Sequence, residues 1–150
     1  LRSIRYPQFG FPTTGRPPSR HETDALPLLH GRRSGGPFVH VSLAGSTGER
    51  SVAGQVAQID TGAYKTVIPE ALVSRLGRVT LRQVAAEGLD GALGVYSTVV
   101  VDLTIHELST VRLEVLVAEG EPCVLLGRDL LNRYRITLDG PNQALTIEEP

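Results

Sequence analysis

The run Ala57-Gln58-Ile59-Asp60-Thr61-Gly62-Ala63 constrains this chain more than any other stretch. A partly apolar extended segment ends in a carboxylate, and a hydroxyl and a glycine follow at once. That order puts Asp60 where a strand stops and the backbone turns. Gly62 suits such a place in either of two ways: it can adopt φ > 0, or it can let another segment come close. Thr61 can hydrogen-bond the local backbone or a symmetry mate. A second stretch lies well downstream, Val124-Leu125-Leu126-Gly127-Arg128-Asp129-Leu130-Leu131. Asp-Thr-Gly alone is most often an ordinary turn. Its weight here comes from its company: Ala63 after the glycine, the apolar entry, a short helix signal that follows, and the second stretch.

The 150 residues, of which 41% are hydrophobic, are enough for one globular domain with a real core. A net charge of −1 argues against a nucleic-acid protein. The single cysteine, Cys123, excludes an intrachain disulfide, and its apolar neighbours Val124-Leu125-Leu126 suggest a buried, inert thiol. No apolar run approaches the ~20 residues a membrane span needs, and no secretory segment opens the chain. Those absences lead us to expect a cytoplasmic protein with no membrane partner. Leu1, and the lack of any methionine, point to a processed or excised form, so a targeting segment upstream stays open. The histidines His21, His30, His40 and His106 lack ligand spacing, so we expect no metal and no cofactor.

Residues 1–37 differ from the rest. They hold six of the ten prolines, and six arginines against Glu22 and Asp24. Proline at this density removes hydrogen-bond donors and blocks helices and central strands. Two readings stand: an irregular arm or linker, or an arm that packs on the body or a second subunit through Ile4, Tyr6, Phe9 and Phe11. The arginines are dispersed, which disfavours a nucleic-acid role. We take 1–37 as the arm and 38–150 as the folded domain.

Phe38 to Leu43 alternates as a strand, Gly45-Ser46-Thr47-Gly48 turns, and Glu49 to Ile59 returns. The Gly-Ser-Thr-Gly run lacks the spacing of a nucleophile elbow. Thr66-Val67-Ile68 is extended. Pro69 to Gly77 reads as a short helix, with proline in its first turn and glycine past its end. Val79 to Ala86 and Gly94 to Ile105 form a hairpin around Glu87-Gly88-Leu89-Asp90-Gly91-Ala92-Leu93. Its glycines do not make a phosphate loop, because a strand follows them where a helix is required. Val111 to Ala118 and Cys123 to Leu126 are strands, and Arg128 to Arg133 a helix. Tyr134 to Leu138 and Gln143 to Ile147 close the chain as a hairpin.

Together the two stretches resemble the paired signatures of the retropepsin-like aspartic proteases, the family of the single-domain retroviral proteases and their cellular relatives. The resemblance covers about residues 38 to 148. It implies an all-β fold: a closed, barrel-like domain with one or two short helices. It implies an aspartic endopeptidase acting on peptide or protein, and roles for particular residues. Asp60 would be the catalytic carboxylate. Thr61 resembles the residue whose hydroxyl reaches the other subunit, and Gly62 the glycine whose backbone approaches the carboxylates and substrate. Ala63 would lie beside the cleft. The hairpin around Gly88, Leu89 and Gly91 would be the flap that covers substrate. Gly127 and Arg128 resemble the pair that packs beneath the active-site loop and braces the dimer.

Such an enzyme needs two facing carboxylates that share a proton. This chain offers one suitable aspartate: Asp139-Gly140 lacks the intervening hydroxyl residue, and Asp129 looks structural. The resemblance therefore implies a homodimer with one Asp60 from each subunit. The closing hairpin is expected to supply much of the interface, through the open edge of its terminal strand. A catalytically silent dimerisation or peptide-binding module on the same scaffold is the competing reading. The chain also departs from the family. Tyr64 stands where the retroviral enzymes have an acidic residue that pairs with the arginine of the second motif. Lys65, the only lysine, follows it. Gln58 replaces an apolar residue near a side-chain subsite, and the flap tip carries Glu87 and Asp90. These departures bear on substrate preference and leave the catalytic group in place.

Overall fold

The structure is a computed structural model that describes residues 3–7 (backbone only), 36–77, 82–87, 91, 93–142 and 144–150. The strands are β1 (Ser3–Pro7), β2 (Phe38–Gly45), β3 (Ser51–Ile59), β4 (Val67–Pro69), β5 (Arg82–Glu87), β6 (Leu93–Ile105), β7 (Val111–Ala118), β8 (Val124–Leu126), β9 (Arg135–Asp139) and β10 (Ala144–Glu148). Two short helices, α1 (Glu70–Val73) and α2 (Arg128–Leu131), interrupt them, and a 3-10 turn, Ser74–Leu76, extends α1. One sheet runs β2-β3-β8-β4-β7-β6-β5, and β2 also pairs with β6. That pairing closes the first six strands into a barrel and leaves β5 as an extension on β6. Thus the expected all-β closed barrel with short helices is what the chain forms.

Alternation explains the closure. On β6, Val99, Val101, Leu103 and Ile105 are at most 2% exposed and line one face. Val39, Val41 and Leu43 of β2 join them in the interior, with Val115, Val124 and Leu126. The same face of β6 runs on to Val95 and Leu93, which are 70% and 82% exposed. The β5–β6 hairpin therefore projects past the barrel with its apolar side uncovered. Opposite, Arg112 grips Asp102 through two hydrogen bonds of 2.7 and 2.8 Å and holds that carboxyl below its usual range.

β3 departs from simple alternation. Val52 is buried, and so are Ala57 and Ile59, which lie an odd number of residues away. A register shift against β2, between Val41 and Leu43, supplies the extra residue. Gly54, with φ +64°, sits in this bulge. The shift reverses the parity of the strand, so both halves bury their apolar side and Ile59 enters the core just before Asp60.

The second sheet is β1-β10-β9, antiparallel throughout. Leu145 and Ile147 of β10 are fully buried against the barrel. The expected open edge of the terminal strand is not found: β1 pairs along β10 from Ser3↔Glu148 to Pro7↔Ala144. Of the two readings of the arm, residues 3–7 follow the packed one. Pro7 is tolerated because it ends a strand at the sheet's edge. Phe9 and Phe11 lie outside the described residues. Cys123 is buried, as its neighbours suggested. Among the described residues, no helix is long and apolar enough to cross a membrane, and no group of His, Cys, Asp and Glu could hold a metal.

Gly54→Ala should lower the unfolding free energy by about 1 kcal/mol, because alanine must adopt left-handed backbone there. Gly54→Val, β-branched, should cost more. Urea denaturation at fixed protein concentration measures both, and a wild-type midpoint for the valine variant would show that the bulge does not set the register.

Candidate active site

Two parallel strands bring the two motifs together. β3 and β8 run side by side with Ile59 opposite Leu126, and each breaks into a turn at the same end of the barrel. Asp60 continues the ladder by one bond, its N–H donating to the Leu126 carbonyl (3.0 Å). Its backbone is thus fixed by the second motif, while its side chain enters the turn. Asp60 Oδ1 accepts from the N–H groups of Gly62 (3.0 Å) and Ala63 (3.2 Å). Oδ2 has no hydrogen bond within the described residues. The carboxylate is therefore held by one oxygen and presents the other.

Gly62 earns its place by close approach, the second of its two possible roles. A Cβ there would stand 3.2 Å from Asp60 Oδ1, and its φ is not positive. Thr61 is exposed, and its hydroxyl makes no hydrogen bond among the described residues.

The turn is clamped from below. Arg128 N–H donates to the Ala63 carbonyl (2.9 Å) and Asp129 N–H to that of Tyr64 (3.1 Å). Asp129 Oδ1 accepts from Thr66 N–H (2.9 Å), Thr66 Oγ1 (2.7 Å) and Leu130 N–H (2.9 Å). Thr66 Oγ1 in turn accepts from Gly127 N–H (3.1 Å). Thr66 is fully buried. A hydrogen bond to a charged group contributes about 1.5–3 kcal/mol, so this cluster is a major local constraint. The Oδ2 atom of Asp129 is buried without a partner among the described residues. The reading of Asp129 as structural holds. In the sequence Thr66 reads only as part of an extended piece; its signal is a polar residue heading an otherwise apolar strand, where it must find a partner if buried.

Gly127 is required for a steric reason. A Cβ there would lie 2.4 Å from the Lys65 carbonyl carbon and 2.7 Å from Thr66 N. Its own backbone, φ −86° and ψ 174°, is open to any residue. The constraint is close packing of two chain segments, not torsion.

The rim differs from the clamp. Tyr64 is 71% exposed, and the Arg128 guanidinium lies over its ring, 5.9 Å from the centroid. The arginine expected to lack its acidic partner has taken an aromatic one. Lys65 Nζ donates to the Glu114 carbonyl (3.2 Å). Gln58 points away from the core, its amide against Gly36, where a Cβ would stand 3.3 Å from Nε2. Ala63 is half-buried beside Asp60. Gly91 is exposed, with φ +75°, at the hairpin tip. Gly88 and Leu89 lie outside the described residues.

Residues 51–133, more than half of the chain, match the family model described as "gag-polyprotein putative aspartyl protease". Among solved structures, the chain is similar to the EIAV protease complexed with the inhibitor HBY-793. The two are 23% identical, the match covers 70% of this chain and 89% of that one, and the TM-score is 0.51. It is also similar to a retropepsin-like aspartic protease from Rickettsia conorii, at 15% identity, covering 77% and 84%, with a TM-score of 0.52. At these identities the likeness is one of fold. No curated protein matches the sequence.

Gly127→Ala should destabilise the chain by about 3 kcal/mol or more, because the added methyl meets backbone that cannot step aside. Thermal unfolding measures this. A melting temperature equal to the wild type's would mean that the two motifs can separate freely.

Proposed function

Because this chain belongs to the retropepsin-like aspartic protease family, we propose that it is an aspartic endopeptidase, active as a homodimer on peptide or protein substrates. The observation that carries this reading is Asp60: Oδ1 is fixed by two backbone donors, and Oδ2 has no hydrogen bond among the described residues, where two parallel strands end. The other motif-like aspartates are occupied. Asp129 is bound by Thr66 and Leu130, and Asp139 accepts from Asn142 N–H and Nδ2. The second carboxylate therefore comes from a second copy across a two-fold axis.

Two such carboxylates hold one proton between them. The ionised one takes a proton from water, which attacks the scissile carbonyl. The protonated one donates to the carbonyl oxygen, and the tetrahedral intermediate collapses as the leaving nitrogen gains a proton. Thr61, Gly62 and Ala63 place the two loops against each other and against substrate. The projecting β5–β6 hairpin is the flap. Its uncovered apolar residues Leu93 and Val95 continue the core-facing side of β6 and offer apolar surface for substrate to cover. Gly91, with φ +75°, belongs to its tip. Tyr64 and Gln58 flank the substrate path.

The domain that does the chemistry is 38–150, and residues 1–37 are dispensable for the dyad although Ser3–Pro7 covers the β10 edge. With that edge taken, the subunit contact falls on β9. Leu138 there is 59% exposed while its cross-strand neighbour Leu145 is fully buried.

Asp60→Asn should abolish hydrolysis of a peptide library and leave fold and dimer intact. Cleavage at the wild-type rate would overturn the assignment, and a silent wild type would favour the binding-module reading. Wild-type activity should also fall toward alkaline pH as the shared proton is lost; a profile flat to about pH 9 would count against a dyad. Leu138→Glu should shift the chain toward monomer in sedimentation and lower activity most at low concentration, with recovery as concentration rises. An unchanged dimer would place the interface elsewhere.

A further inference from the structure

Arg128 is exposed at the rim of the Asp60 turn, and among the described residues no carboxylate pairs with it. Its contact is the face of the Tyr64 ring. The guanidinium carbon lies over that ring, and the N–H groups of a guanidinium form the fork that fits a carboxylate. The nearest acid in sequence, Asp129, is turned inward and bound to Thr66 and Leu130. The other cation of the turn, Lys65, is bound to a backbone carbonyl that leaves its charge uncompensated. Among the described residues the rim beside Asp60 thus carries two positive charges, neither of them in an ion pair.

The position suits a substrate side chain. Arg128 N–H is bonded to Ala63, which also donates to the Asp60 carboxylate. Tyr64 is four residues from Asp60, so their Cα atoms are at most ~15 Å apart. An extended peptide covers that distance in about four residues.

We propose that the Arg128–Tyr64 pair is a specificity determinant, selecting substrates with a glutamate or aspartate within about four residues of the cleaved bond. This rests on the endopeptidase reading above and deepens it by naming a substrate class. The Tyr64 ring orients the guanidinium and shields one face from water, which strengthens an ion pair made at its edge.

The test uses octapeptides that the wild-type chain cleaves, each prepared in a Glu and a Gln form at every position up to four residues from the cleaved bond. At one or more positions the Glu form should be cleaved with kcat/KM roughly five- to tenfold higher, mainly through KM, the gain expected of a charge-assisted pair at a partly exposed site. The ratio should shrink in 1 M salt. It should fall to about one in Arg128→Gln and in Tyr64→Asp, which gives the arginine a carboxylate of its own, and persist in Tyr64→Phe. The tyrosine variants keep the test decisive if Arg128→Gln fails to fold. Binding of the same peptides to Asp60→Asn, read by fluorescence anisotropy, reports the preference without turnover. A ratio near one at every position in the wild type, or one that survives both Arg128→Gln and Tyr64→Asp, overturns the proposal. Should the wild type cleave no octapeptide, a Glu preference in binding to Asp60→Asn would overturn the hydrolase reading and leave the recognition intact.

Discussion

The contact between Gly127 and the Lys65–Thr66 backbone is the constraint on which the rest of the site depends. Two segments that each leave the barrel at its open end are pressed together where no side chain fits. That approach brings Thr66 within reach of both Gly127 N–H and the Asp129 carboxylate. It also lets Arg128 and Asp129 donate to the Asp60 turn from below. Buried polar groups joined by hydrogen bonds act as a unit, and losing one leaves its partners desolvated and unpaired. The turn that carries Asp60 is therefore rigid because of residues in another part of the sequence.

That rigidity sits on a barrel whose closure has consequences at both ends. The bulge at Gly54 reverses the parity of β3 and delivers Ile59 into the core, so that the next residue is the first free to leave it. β6 is longer than the barrel it closes. Its apolar face runs past the core to Val95 and Leu93 because the thirteen-residue strand has no partner layer there. The apolar side of the hairpin and Leu138 on β9 are left exposed, the kind of surface that another chain or a ligand covers.

The rim of the site follows a different logic from its floor. Below the turn, Thr66, Gly127 and Asp129 Oδ1 are committed to the clamp. Above it, Arg128 and Tyr64 keep polar edges and ring surface exposed. On the proposed reading, a fixed floor with an uncommitted rim lets the geometry at Asp60 stay constant while side-chain preference varies, since specificity is a difference between affinities for competing partners.

Local sequence determined a good deal. The alternation of Phe38 to Leu43, the proline and glycine that bound the Pro69–Gly77 helix, and the turn at Asp139–Asn142 each depend on neighbours a few residues apart, and each element formed where the pattern put it. The Asp60 turn and the second motif were legible for the same reason, as runs of fixed residue type. Tertiary structure alone decided the remainder. The bulge at Gly54 depends on register against β2, and the strand at Ser3–Pro7 on an edge offered by β10, the last strand of the chain. The bond of Thr66 to Asp129 spans 63 residues, and the reason Gly127 must be glycine lies in the Lys65 carbonyl rather than in its own torsions. Residue types and their spacing fix which groups a segment can offer. Which of those groups meet is set by the parallel pairing of β3 with β8, a contact no local pattern encodes.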